Sequence, residues 1–387
     1  MQTRSQAHAA AHGVEALASP NLGASVLLNG LLFAHIWDHL DSDDKRQLRA
    51  VARVVRALAD GLVTSLSMLG KSAADLASAL AVWPNVRTLE TYYDDDERSA
   101  VISAAPLSKL LVLVLEYQYP QGGPCGGARR EWSAAPALSR TAAAGLQELH
   151  LADPYCHDRP VSGIKTLRDC SQLRKLSLHG CNISSLGPLA GCVHLELSTW
   201  GDGVFSDLAP LRGCSQQKKL WIPGSQVSDL APLRGCVKLQ DLKIRMCGVS
   251  SLEGLQACSQ LKHVYMFSCD RVISLAPLSA CVQLESLTMV LCSSVTSLSQ
   301  LSTCCQLEFL LMQLCPSVTS LAPLSACTLL NTLRIDSCTS VFSVEPLIAC
   351  TQLKELAIGR LAGQLHGLLE LKAAMPRLRV LAEMQWV

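Results

Sequence analysis

From residue 170 onward one arrangement of apolar and polar positions recurs along the chain. Boundary cysteines fall at 170, 192, 214, 236, 258, 281, 304, 327 and 350, so the interval is 22 residues four times and then 23 residues four times. We number each unit from its boundary cysteine. Leucine recurs at +3 (Leu173, Leu239, Leu261, Leu284), and further apolar residues stand at +6 (Leu176, Leu220, Leu242, Val264) and +8 (Leu178, Ile222, Ile244, Met266). The +6/+8 alternation predicts a short strand with one buried face. A Leu-x-Pro-Leu phrase follows, as in Leu208 to Leu211 and Leu275 to Leu278. Proline there favours a short 3₁₀ or extended return over a long helix. A period held this tightly predicts a stack of units, a solenoid.

Upstream the pattern loosens. Residues 70–145 carry irregular early units, at Val86-x-x-Leu89 and Leu110-x-x-Leu113-x-Leu115, and the regular array is expected over 146–387 with a cap at its C-terminal end. Residues 117–142, with Gly122-Gly-Pro-Cys-Gly-Gly127 and Arg129-Arg130, have no period and are expected as a mobile insertion. Between Val26 and Leu66 the apolar spacing changes to threes and fours, which predicts short amphipathic helices over 25–69. Residues 1–24 read as a disordered tail.

The phrase Leu-x-x-Leu-x-Leu-x-x-Asn/Cys resembles the leucine-rich-repeat family in its short, internalin-like form. That resemblance implies an α/β fold: a curved solenoid whose parallel β-sheet lines the concave face. Two positions depart from it, Gln217 in place of the +3 leucine and Ser198 at +6 of the second unit. The segment Leu28-x-x-Leu31-Leu32-x-x-x-Ile36-x-x-x-Leu40-Asp41 resembles an F-box, although Asn29 replaces the usual proline and Val55 the usual tryptophan. The resemblance implies a Skp-type adaptor of a cullin ubiquitin ligase as a partner, contacted or supported through Leu28, Leu31, Ile36 and Leu40. The same helices can also serve only as the cap that an open solenoid end needs.

Composition narrows the chemistry. Aromatic residues are only 4% of the chain and the formal net charge is +1, so no global nucleic-acid footprint is expected. No apolar run reaches bilayer length, so no membrane partner is expected, and the protein reads as cytoplasmic, with nuclear, cytoskeletal or ciliary sites also open. Nine of the 18 cysteines occupy the boundary column, and six more, Cys181, Cys247, Cys269, Cys292, Cys315 and Cys338, stand at +11. Two columns of small thiols are expected as reduced, buried fillers rather than a disulfide framework or a zinc site. Gly70-Lys71-Ser72 lacks the leading glycine of a phosphate loop, because residue 65 is serine. No catalytic motif, metal site or cofactor is expected, which leaves a non-enzymatic recognition module.

Residues at +5, +7 and +9 alternate with the buried ones and are expected on the concave face. There the chain carries Trp221, Lys243, Arg245, His263, Tyr265, Phe267, Val290, Phe309, Leu311, Arg334 and Asp336. An apolar and aromatic patch with a charged rim is the composition of a protein-partner surface. The expected role is a substrate-receptor-like F-box/leucine-rich-repeat protein; the rival is a structural or regulatory scaffold, cytoskeletal, ciliary or phosphatase-targeting, without ubiquitin chemistry.

Overall fold

The computed structural model describes residues 64–381, apart from 84, 93–95, 106, 117–139, 153–159, 162–163, 180–181, 184, 201–204, 223–225 and 360–364. The tail, the F-box-like residues Leu28, Leu31, Ile36 and Leu40, nearly all of the 117–142 insertion, and Cys181 lie outside the described residues.

Strands β1 (Ser65–Ser67), β2 (Thr88–Tyr92), β3 (Val112–Glu116) and β4 (Glu148–Ala152) begin a parallel ladder, with a small two-stranded ladder of β5 (Pro160–Val161) and β7 (Asn182–Ile183) beside it. Strands β6 (Lys175–His179) and β8 (Glu196–Trp200) complete a six-stranded sheet in sequence order. A second, eight-stranded sheet follows: β9 (Lys219–Ile222), β10 (Asp241–Arg245), β11 (His263–Phe267), β12 (Ser286–Val290), β13 (Phe309–Gln313), β14 (Thr332–Asp336), β15 (Glu355–Ala357) and β16 (Arg379–Leu381). Helices α1 (Ala73–Val82), α2 (Asp96–Ala104) and α3 (Arg140–Gly145) connect the early strands, and α4 (Leu368–Ala374) packs beyond β15. Ser72, read in sequence as a failed phosphate-loop residue, caps α1: its hydroxyl accepts from the Asp75 N–H at 3.1 Å while the Asp75 carboxylate accepts from the Ser72 N–H at 3.1 Å.

Neighbouring strands register column on column. Leu242 faces Val264, Ile244 faces Met266, and Leu287 faces Leu310, so the +6 and +8 side chains form continuous buried rows. The return arm is a 3₁₀ turn in each regular unit, for example Ala209–Gly213, Ala276–Ala280 and Ala322–Ala326, with proline in its first turn. Asp or Ser just before each turn supplies a local side-chain acceptor. The Ala209 N–H donates to Asp207 at 2.7 Å, and the Ala276 N–H donates to Ser274 at 3.1 Å.

The cysteine columns have different tasks. Boundary cysteines end the 3₁₀ turns, the Cys214 N–H donating to the Leu211 carbonyl at 2.9 Å, and their thiols reach back to the preceding coil, as from Cys192 to the Cys170 carbonyl at 3.3 Å. The +11 thiols sit under the strand ends, Cys338 donating to the Met312 carbonyl one coil earlier at 3.6 Å. Immediately before them the backbone turns left-handed at Met246, Ser268, Leu291, Leu314 and Ser337, with φ between 47° and 54°. There the N–H of Leu314 donates to the Asp336 carbonyl of the next unit at 2.9 Å, which ends the ladder. The residue before the cysteine makes the turn, and the thiol fills the space beneath it.

Both sequence departures meet at the boundary between the sheets. In the second unit the strand starts one residue early, so Leu197 at +5, rather than Ser198, pairs with Leu176. Gln217, fully buried, then fills the gap before β9: its Oε1 accepts from the Leu197 N–H at 2.7 Å and its Nε2 donates to the Leu197 carbonyl at 2.6 Å. The same amide also donates to the Lys219 carbonyl. One side chain thus stands in for the ladder bonds that the register shift removes. Among the described residues no helix is long and apolar enough to cross a membrane.

Candidate functional site

Strand alternation sets the site. With +6 and +8 committed to the core, +5, +7 and +9 stand on the open face of the sheet, and the register lines them into columns: Trp221 beside Lys243, Lys243 beside Tyr265, Arg245 beside Phe267, Phe267 beside Val290. Trp221, Tyr265, Phe267, Val290, Phe309 and Leu311 are half-buried, whereas Lys243 and His263 are exposed. Cations lie over the rings. Lys243 Nζ is 5.4 Å from the Trp221 centroid and Arg245 Cζ is 5.5 Å from that of Phe267. These contacts hold the aromatic faces in place and keep the charges at their edges.

Over this strip lies an open hollow of about 460 Å³, lined by Trp221, Lys243, His263, Tyr265, Asp241 and Thr288 among others. Four of the sequence-predicted residues therefore line one concavity. Phe309 and Leu311 lie on β13, one strand beyond Thr288, and extend the strip. Arg334 and Asp336 behave differently. Arg334 donates to the Glu355 carboxylate through Nε at 3.1 Å and through a terminal nitrogen at 3.0 Å, and the Asp336 carboxylate accepts from the Gln313 amide at 3.3 Å. They form the end of the strip, with their charges engaged within the chain.

Sequence reasoning missed the strand-entry side. Arg174, His194, Glu196, Gln216 and Lys218 line a second hollow of about 380 Å³ next to the first. Lys219 pairs with Asp241 at 3.2 Å, and Asp241 also faces His263 at 3.8 Å. The cue was present in the +2 and +4 residues Arg174, Lys218 and Lys238, which the focus on the strand alternation left out.

The thiols offer no nucleophile in the boundary column. Burial pushes Cys236, Cys281 and Cys327 up to about 12, with neighbouring cysteines adding to the shift. In the +11 column the thiols alternate: hydrogen bonds between neighbours, then burial, push Cys292 and Cys338 up, while hydrogen bonds from those same neighbours hold Cys269 and Cys315 down. Among the described residues no cluster of three or more His, Cys, Asp or Glu side chains is arranged to hold a metal ion.

This architecture is a leucine-rich-repeat solenoid. Comparison with solved structures finds an internalin, InlF of Listeria monocytogenes, at 15% identity and a TM-score of 0.61, over 84% of this chain and 88% of that one. The functional domain of Listeria monocytogenes InlJ, described as including a cysteine ladder, matches at 14% identity and a TM-score of 0.43, over 76% of this chain and 72% of that one. A Leptospira interrogans leucine-rich-repeat protein matches at 11% identity and a TM-score of 0.41, over 81% of this chain and all of its own. The likeness is one of fold. No protein-family model matches the sequence, and no curated protein matches it.

Proposed function

We propose that the protein is a non-enzymatic recognition module that holds a segment of a protein partner on its concave face. The observation that carries this reading is the half-buried aromatic and aliphatic strip from Trp221 to Leu311, opening into a 460 Å³ hollow edged by charges. Aromatic anchors held by neighbouring side chains, with a polar rim, are the composition of a binding hot spot. Affinity purification with mass spectrometry supplies the partner; Trp221→Ala or Phe267→Ala then weakens its capture while the melting temperature stays nearly unchanged. Capture that survives both substitutions refutes the reading.

The finer reading gives residues 25–69 the role of an F-box and a Skp-type adaptor as second partner. It rests on the sequence resemblance and is tested by copurification of the adaptor with the full chain, lost on Ile36→Asp or Leu40→Asp. The alternative is a scaffold without ubiquitin chemistry, in which that segment only caps the array. One observation favours it: β1, at Ser65–Ser67, pairs in parallel with β2, so the sheet extends into this segment. Deleting residues 1–66 would then unfold the array without removing any one partner. The reading places the protein in the cytoplasm, with protein rather than nucleic acid as its ligand.

A further inference from the structure

The concave face is not uniform along the solenoid. On the first four regular units, Arg174, Lys175, Lys218, Lys219 and Lys238 are all exposed, and Arg174 and Lys218 line the 380 Å³ hollow. Glu148, Glu196 and Asp241 answer only part of this charge, and the Lys175 and Lys219 side chains remain 50% and 72% exposed beside their acidic neighbours. Two units further on, the cations vanish: units six and seven carry no Lys or Arg, and at +4 they carry Glu285 and Glu308. The +5, +7 and +9 residues of units six and seven are Ser286, Thr288, Val290, Phe309, Leu311 and Gln313. Along the strand-exit edge, Met246 of unit four and Leu314 of unit seven stand 47% and 42% exposed, in the left-handed backbone region. Glycine or asparagine would sit more easily in that region than an apolar L-residue.

The geometry points to a partner segment of matching polarity: a linear peptide lying across the strands, acidic where it crosses units one to four and apolar where it crosses units five to seven. This rests on the concave-face reading above and specifies its ligand. From Lys175 in the first unit to Leu311 in the seventh is six strand spacings, about 29 Å at roughly 4.8 Å each. An extended chain covers that in about nine residues at about 3.3 Å each. Carboxylates meet the lysines at one end, and the Trp221–Tyr265 hollow takes the junction. Aliphatic or aromatic side chains then cover Phe309, Leu311 and Leu314. A nucleic acid fits less well. Glu196 and Asp241 stand among the cations, and units six and seven, with Glu285 and Glu308 at their strand entries and no Lys or Arg, would leave phosphates without counter-charges.

The test uses a phage-displayed library of random twelve-residue peptides selected on the immobilised full chain, followed by anisotropy titrations of the selected peptides. The inference expects sequences with Asp and Glu clustered in one half and Leu, Phe, Met or Val in the other. Their affinity should fall at least tenfold in a Lys218→Glu/Lys219→Glu double variant and severalfold in Leu314→Ser, with a marked loss between low and high salt. Peptides that depend on Trp221 but carry no acidic half overturn this inference and leave concave-face recognition standing. Peptides indifferent to Trp221→Ala and to the lysine reversals overturn both, as does a selection that enriches nothing. An oligouridylate that binds more tightly than any selected peptide, and is lost with the lysine reversals, assigns the basic end to nucleic acid and refutes the peptide.

Discussion

Replacing Gln217 by leucine restores the residue that the repeat pattern expects at +3, and yet it should destabilise the protein. The Gln217 amide satisfies the N–H and carbonyl of Leu197, at 2.7 and 2.6 Å, and also the carbonyl of Lys219. Leu197 is fully buried, so water cannot readily take over. Leaving these three groups unpaired costs about 1–3 kcal/mol each. The new leucine recovers about 1.5–3 kcal/mol of apolar burial, for a net loss of about 4 kcal/mol at the middle of both ranges. Because each coil contacts only its neighbours, the loss falls on one interface, the one between β8 and β9. Urea unfolding followed by circular dichroism should therefore show an earlier transition and a broadening into two phases as the six- and eight-stranded sheets uncouple. Gln217→Glu should be worse, since a carboxylate accepts from Leu197 but cannot donate to either carbonyl. A Gln217→Leu protein as stable as the parent, unfolding in one sharp step, would refute the idea that this side chain joins the sheets.

Leu287→Ala, which empties a fully buried +6 position, should cost about 2–5 kcal/mol in the same assay, whereas Trp221→Ala on the open face should leave the unfolding midpoint nearly unmoved. Leu314→Asn should stabilise by up to about 1 kcal/mol, because asparagine tolerates the left-handed backbone (φ 52°) better than leucine; a destabilisation would show that the leucine packs more than its exposure suggests. The boundary thiols make stability fall in alkali. Cys236 and Cys281 keep their protons to about 12 when folded, against an ordinary value of 9.0, so the unfolded chain loses protons first. That contribution is complete below about pH 9 and disappears between about 9 and 12, and pH-dependent urea midpoints should decline across that window. With a thiol reagent at pH 8, exposed Cys305 should label quickly and Cys281 only at the rate of unfolding.

The columns were legible because a solenoid repeats each environment. Leucine at +3 and apolar residues at +6 and +8 mark the same buried slot in successive coils, so eight examples stand where a globular core would give one. Even the step in the period can be placed. Four-residue turns from Cys269 to Val272 and from Cys338 to Val341 replace Cys247-Gly248-Val249, and each closes with a Val N–H bonded to its cysteine carbonyl, at 3.1 and 3.0 Å. The extra residue lies after the strand, so the β10–β11 register crosses from one unit length to the other without a shift. What could not be read is what depends on the next coil. Leu291 and Leu314 carry no glycine or asparagine to announce a left-handed turn. Arg334 reads as a rim charge until the sheet places Glu355 of the following unit against it.

Departures from a column therefore divide by whether the neighbouring coil accounts for them. Gln217 is accounted for by the shifted strand β8, and Arg334 by Glu355, so neither argues for a ligand. Between units five and seven the accounting fails. The strands β11 to β13 expose Tyr265, Phe267, Val290, Phe309 and Leu311 in part, and the bends after β10 and β13 leave Met246 and Leu314 exposed beside them. No described element covers that face: α4 packs on the last 3₁₀ turn, Glu345–Ala349, at the far end of the array. An apolar strip that no described element covers is the signature expected where the partner comes from outside, and it directs the search for function to three adjoining strands and the lysines upstream of them.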